Sequence, residues 1–318
     1  MKKLVAAALL IILPTLVAAE RAPVGLMTIV NPFTAGGLTD LAARIVAEKA
    51  HGNFPDGLAI ISRSGAGGTI GISYVVGSRS DGSTIGFTPI GAIVDAPQMI
   101  TGLKYKTPDD IEPIINVLSS YQMLAVRGDG PWSTATEFLE AVKGAPGKYS
   151  MGHTGVGTAS HLNMAQLVQA ADLDLIEVPF QGWAQSSVAL LGGHVDAIVI
   201  NAGEGRPLVD AGQMRILSVF QPERVSFHPD VPTFKEAGYD VGVGLKFFFF
   251  GPPGLDPDVR QYIHDAFKGA MEHDDFKRFA VSREVEMDYM DGDETKAMLW
   301  SEYNQHTELL ESLGLLAK

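Results

Sequence analysis

The chain has 318 residues, a hydrophobic content of 46% and no cysteine. That length buries one large core or two ordinary ones, and the missing thiols exclude disulfides, thiolate metal sites, cysteine nucleophiles and a lipid-anchored amino terminus. A formal charge of -13 argues against nucleic acid and anionic membranes as partners, although a cleft lined by backbone N–H groups can be locally positive beneath an acidic surface.

Met1-Lys2-Lys3, the apolar residues 4–17 and Ala18-Ala19 have the three parts of a secretory leader, with cleavage expected before Glu20. The apolar run is shorter than the ~20 residues that a spanning helix needs, which favours a leader over an anchor. Strand patterns follow at 26–30, 58–62, 84–88 and 112–118, then at 123–126, 149–151, 175–179, 196–200 and 214–220. They alternate with helical patterns such as 41–50, 162–171, 183–191 and 204–211, which predicts parallel sheet with helices on both faces in two tandem α/β units. The last hundred residues differ: one strand at 243–250, a Gly251-Pro252-Pro253-Gly254 turn, and helices at 257–271, 274–282 and 294–313. The last of these carries a one-sided apolar stripe, and Asp291 with Glu294 three residues later is a capping-box start. Such a tail is expected to return to the first unit, leaving the middle unit inserted.

Two glycine turns of one design stand about 120 residues apart, Asn31-Pro32-Phe33-Thr34-Ala35-Gly36-Gly37-Leu38-Thr39-Asp40 and Gly152-His153-Thr154-Gly155-Val156-Gly157-Thr158-Ala159-Ser160-His161. A strand that turns through glycines into a helix presents unpaired N–H groups and the positive end of a helix dipole, which suits an anion. One such turn alone is an ordinary capped loop; its recurrence points to two lobes gripping one ligand. Thr34, Thr154, Thr158 and Ser160 add hydroxyl donors, and His153 and His161 either donate to a ligand or bond the backbone.

A third cluster, Ser64-Gly65-Ala66-Gly67-Gly68-Thr69-Ile70-Gly71, fails the dinucleotide fingerprint because Ile70 holds the sixth place. The second turn fails it too, with Ser160 at that place, although Glu177 stands where the fingerprint wants an acid. Phosphate-loop, nucleophile-elbow and zincin patterns are all missing.

These segments resemble the extracytoplasmic solute-binding proteins of tripartite tricarboxylate transporters, the Bug or TctC-like family. The resemblance rests on P-x-x-A-G-G-x-x-D at 32–40, x-G-A-G-G-x-x-G at 64–71, D-G-x-T at 81–84 and G-x-x-G-x-G-x-x-x-H at 152–161. It continues with V-P-[YF]-x-G at 178–182, L-L-G-G-x-V-D at 190–196, H-P-D-V-P-T-x-x-E-A-G at 228–238 and G-P-P-G at 251–254.

The resemblance implies a type II periplasmic-binding-protein fold, two α/β lobes joined by two crossover strands near 121–126 and 217–221. The expected division is a leader at 1–19, a first lobe of 20–122 and 221–318, and a second lobe of 123–220. It also implies a periplasmic, monomeric, non-enzymatic receptor that binds a small organic carboxylate without cofactor or metal and hands it to membrane permease subunits. The ligand contacts carried over are Phe33, Thr34, Ala35, Gly36, Gly37, Asp40 and Gly91 from the first lobe. From the second come His153, Thr154, Gly155, Gly157, Thr158, Ser160, Gln181 and Gly182, with Asp196 and Asn201 around the next strand. Many relatives have an acid where this chain has Asn201, which removes a charge that would suit an amine-bearing ligand, and an aromatic where it has Lys246, which becomes a candidate partner for a second carboxylate. A secreted enzyme using the same cleft on a carboxylate or nucleotide, or a sensor subunit, are the alternative readings.

Overall fold

A computed structural model describes residues 22–317 except residue 24, so the expected leader and its cleavage point lie outside the described residues. Eleven strands and eleven α-helices are found among them. In chain order they begin β1 (Met27–Asn31), α1 (Leu38–Ala50), β2 (Leu58–Ser62), α2 (Thr69–Val76), β3 (Thr84–Pro89), α3 (Gly91–Val94), α4 (Ala96–Met99), β4 (Glu112–Ser120) and β5 (Gln122–Arg127). There follow α5 (Ala135–Gly144), β6 (Ser150–His153), α6 (Ala159–Ala170), β7 (Ile176–Pro179), α7 (Trp183–Leu191), β8 (Ala197–Asn201), α8 (Arg206–Asp210) and β9 (Met214–Val219). The tail holds β10 (Leu245–Gly251), α9 (Pro257–Glu272), α10 (Asp274–Ser282), β11 (Glu286–Asp291) and α11 (Gly292–Ser312).

The strands form two sheets, ordered β11-β4-β10-β3-β1-β2 and β7-β6-β8-β5-β9. Each sheet keeps a parallel set, β1 with β2 and β3, and β6 with β7 and β8. The sheets are mixed rather than wholly parallel, because β10 and β5 run antiparallel to both of their neighbours. The tail strand β10 is inserted between β3 and β4, so the end of the chain does return to the first sheet.

The Phe247-Phe248-Phe249-Phe250 run of β10 shows why the first sheet needs continuous apolar sequence. Side chains alternate along a strand, so Phe247 and Phe249 join the core under α1 and α9, while Phe248 and Phe250 join the opposite core with α2 and α3. In the second sheet Leu124 and Val126 face one core and Met123 and Ala125 the other. Helix α11 begins with the expected capping box of Asp291 and Glu294, and its Leu299 and Leu310 pack on the first lobe. Strand β11 has no strand pattern in the sequence. Its Glu-Met-Asp-Tyr-Met-Asp sequence lies at an edge, with Met287 and Tyr289 exposed, so it carries little apolar signal.

Only Tyr121 separates β4 in the first sheet from β5 in the second, which makes one near-continuous crossover. The return comes later than 217–221. Phe234, Tyr239 and Val241 still pack in the second lobe's core, and Val243 is the first residue of this stretch in the core of the first lobe.

Candidate functional site

The carboxyl ends of the parallel strands β1, β3, β6, β7 and β8 converge on one cleft between the lobes, the usual ligand position in open α/β sheets. A cavity of about 510 Å³, its mouth included, lies there. Phe33, Thr34, Gly37 and Gly91 line it from the first lobe, and Thr154, Thr158, Gly182 and Asn201 from the second.

The first turn is shaped by its own side chains. The Gly36 amide donates to Asp40 Oδ2 (3.0 Å), the Phe33 amide to Asn31 Oδ1 (3.1 Å), and Arg44 Nε also reaches Asp40 Oδ2 (2.9 Å). Asp40 is therefore buried loop scaffolding and does not line the cavity, and neither do Gly36 and Ala35. Among the described residues the amides of Thr34, Ala35 and Gly37 have no partner.

In the second turn the Thr154 amide donates to Ser160 Oγ (2.9 Å), and the Thr158 hydroxyl to the Gly155 carbonyl (2.6 Å). The Gly155 amide donates to His153 Nδ1 (3.2 Å) and the Gly157 amide to His161 Nδ1 (3.4 Å). A ring nitrogen that accepts carries no proton, so in both histidines the proton sits on Nε2, and both Nε2 atoms meet Glu177 Oε1, at 2.9 and 3.3 Å. The two rings stack with centroids 4.7 Å apart.

These bonds from His153 and His161 hold the Glu177 carboxyl far below the usual carboxylate range, against the opposing effect of its partial burial. The donor atoms of His153, His161 and Glu177 lie within 4.8 Å of one another, as a metal cage would require. Protonated Nε2 atoms cannot ligate, so the trio is a closed hydrogen-bonded brace for the turn and does not fit a metal. Glu177, where a dinucleotide fingerprint wants its ribose-binding acid, is committed to this brace. His153, Gly155, Gly157 and Ser160 thus build the turn and do not wall the cavity.

Three further expectations fall elsewhere. Asp196 accepts from the Ser150 amide (2.8 Å) at the amino end of β8, about 16 Å along the strand from the cleft at a rise of ~3.3 Å per residue. Lys246, one residue past the cavity-lining Leu245 on β10, points to the other face of the strand and pairs with Asp288 of β11 at 2.5 Å. Gln181 is exposed, its amide bonded to Gln185, and only its neighbour Gly182 reaches the cavity, facing Thr34 of the other lobe.

Sequence reasoning missed Gln122, Trp183, Leu245 and above all Glu204 among the cavity residues. Glu204 follows β8 in the second lobe, yet its Oε1 accepts from the Leu38 amide (3.1 Å) at the start of helix α1 in the first, where no side chain of the local sequence caps the helix. Its Oε2 accepts from the Asn201 amide (3.4 Å). Burial raises the Glu204 carboxyl above the ordinary carboxylate range, with the Leu38 and Asn201 hydrogen bonds opposing it.

The lobes meet closely around this cavity. A Cβ on Gly67 would lie 2.3 Å from the Val156 carbonyl oxygen, and one on Gly157 would lie 2.6 Å from Ala96 Cα. The third glycine cluster therefore faces the opposite lobe, and its lack of side chains is what permits the contact.

The profile of the tripartite tricarboxylate transporter family receptors matches residues 42–315. The chain is 29% identical over 303 residues to the UPF0065 protein in the gbd 5' region of Cupriavidus necator, covering 95% of this chain and 92% of that one. The periplasmic binding protein BugD superposes with a TM-score of 0.88 at 28% identity, over 93% of this chain and 100% of BugD. MatC from Rhodopseudomonas palustris with bound malate shares the fold, with a TM-score of 0.84 at 24% identity over 91% and 99% of the two chains. No helix among the described residues is long and apolar enough to cross a membrane.

Proposed function

Because the chain belongs to the tripartite tricarboxylate transporter family of receptors, we propose that it is a periplasmic solute-binding protein that closes its lobes on an organic carboxylate and delivers it to the family's membrane permease. The observation that carries this reading is the cavity walled by both glycine turns, with the amides of Thr34 and Gly37 unpaired at one side and the amino end of α6 at the other. Unpaired amides in a cleft between two lobes favour an anion, each charge-assisted bond contributing about 1.5–3 kcal/mol.

The ligand contacts we assign are Phe33, Thr34, Gly37, Thr154, Thr158 and Asn201. Closure is favoured because only the closed form brings both turns to one ligand. We assign export to the leader expected at 1–19, and the monomeric state to the receptor as it acts.

The test is a thermal-shift screen of the exported protein against carboxylates, amino acids, phosphate and dinucleotides. A ligand that binds only the folded state raises Tm with RT ln(1 + [L]/Kd). The expected result is a shift confined to certain carboxylates, with the ligand recovered unchanged. A shift with dinucleotides alone, or conversion of the ligand, overturns the proposal.

A further inference from the structure

The spot that the sequence marks as an anion site, the amino end of α1, already holds a carboxylate of the protein itself. Glu204 Oε1 takes the Leu38 amide, and a Cβ on Gly37 would lie 3.4 Å from that same oxygen. Glu204 is also the only Asp, Glu, Lys, Arg or His side chain among the described residues lining the cavity. The other polar groups there are hydroxyls and amides. Two of the amides are used, Gln122 donating to Asn201 Oδ1 (2.9 Å) and accepting from Asn163 (2.7 Å).

The cavity wall therefore carries one acid with no basic side chain bonded to it. Each carboxylate oxygen has one backbone amide and further lone pairs to offer. Glu204 is half-buried, and although the Asn201 side chain also bonds it and the charge of Arg283 acts on it from outside the cavity wall, desolvation still outweighs them, so a cation placed directly against it removes a cost. A ligand that brought a second carboxylate to the same place would add like-charge repulsion in a poorly solvated site.

From this placement we infer that the receptor selects aminocarboxylates, compounds with one carboxylate and one ammonium, over dicarboxylates. The ammonium donates to Glu204. The carboxylate lies on the far side of the cavity, toward Thr154, Thr158 and the first amides of α6, which no helical bond satisfies. Phe33, Trp183 and Leu245 line the space between and take the carbon chain. The inference rests on the receptor reading above and narrows it.

The experiment titrates the exported protein with a panel of α- and ω-amino acids. Each is set beside the acid that lacks only the amino group and the diacid that has a carboxylate in its place. In the wild type the tightest ligand should be an aminocarboxylate, at least tenfold tighter than both comparators. Glu204→Gln, which keeps an oxygen for the Leu38 amide, should remove at least tenfold of that advantage, read as the ratio of amine to amine-free affinity within the variant. Circular dichroism and Tm establish that the variant folds, and the wild-type comparison stands without it. A diacid or amine-free acid binding as tightly as its amine counterpart overturns the inference and leaves the carboxylate receptor intact, as does an unchanged preference in a folded Glu204→Gln. If no carboxylate of any kind binds, the receptor reading fails and this one with it.

Discussion

Arg206 of the second lobe and Glu284 of the first meet between the lobes, with Nη1 and Oε1 2.5 Å apart. Glu284 is 1% exposed, its other oxygen lies 2.7 Å from His228 Nε2, and its backbone sits at a φ of 55°, unusual for a residue with a side chain. The preceding residue is pressed against the second lobe as well, since a Cβ on Gly203 would lie 1.9 Å from the Arg283 carbonyl oxygen. A carboxylate with two partners on the opposite lobe can have both only when the lobes are shut, so the cluster is a latch on the closed state.

Glu284→Gln should therefore shift the population toward the open form. Because Arg206 is 48% exposed and keeps Asp210 as a partner, the loss is about 1–2 kcal/mol rather than that of a fully buried pair. The measurable result is ligand affinity lowered roughly five- to thirtyfold, with a larger radius of gyration in solution scattering. Burial pushes the Glu284 carboxyl up, but the bonds to His228 and Arg206 outweigh it and leave it below the ordinary range. A depressed pKa means that the latch holds above the unfolded value and is lost as pH falls through the folded one, so wild type and variant should converge in acid. Equal affinity at neutral pH would refute the latch.

Gly67→Ala tests the lobe contact from the other side. The added Cβ would meet the Val156 carbonyl oxygen at 2.3 Å in the closed form, while the αL backbone (φ 64°) adds a cost of about 1 kcal/mol in either form. We expect ligand affinity to fall at least tenfold while the unliganded Tm moves by only a few degrees. A Tm loss as large as the affinity loss would place the glycine's role in folding instead.

Much of this architecture is legible in the sequence because it depends on local pattern. The alternation of β-rich runs with helical stripes, the two glycine turns and the Asp291–Glu294 cap all describe neighbours in the chain. What stayed hidden depends on distant pairing. Glu204 lies in an unexceptional Asn201-Ala202-Gly203-Glu204 turn, and nothing in its surroundings says that it will cap a helix 166 residues away. The glycine turns were legible as turns, but not the division of labour within them. Which amides stay free depends on where Asp40, Ser160 and the two histidines point. Lys246 and Asp196 were misplaced for the same reason, since strand facing and strand end decide whether a residue reaches the cleft.

The tail helix α11 is tied to the cavity wall by a buried ion pair, and that pair should give stability a distinct pH dependence. His306 Nδ1 lies 2.6 Å from Asp95 Oδ1, and its Nε2 lies 3.2 Å from Glu302. Asp95 in turn backs Gly91 in the cleft, where a Cβ would fall 2.9 Å from Asp95 Oδ2, an oxygen with no hydrogen-bond partner among the described residues. Burial lowers the His306 pKa, but the bonds to Asp95 and Glu302 win and raise it to about 10 from 6.5, while burial also raises the Asp95 carboxyl against the opposing bond to His306. A raised folded pKa contributes stability that is complete below the unfolded value and is lost as pH climbs through the folded one. The wild-type Tm should therefore fall between pH 7 and pH 10.5 more steeply than that of His306→Gln, which still donates to Asp95 but does not titrate. The raised pKa already includes the cost of burial, so the difference between the two proteins should be about 2–4 kcal/mol near neutrality and shrink toward the alkaline end. Parallel Tm curves across that range would show that His306 is held neutral and that the pair is an ordinary hydrogen bond.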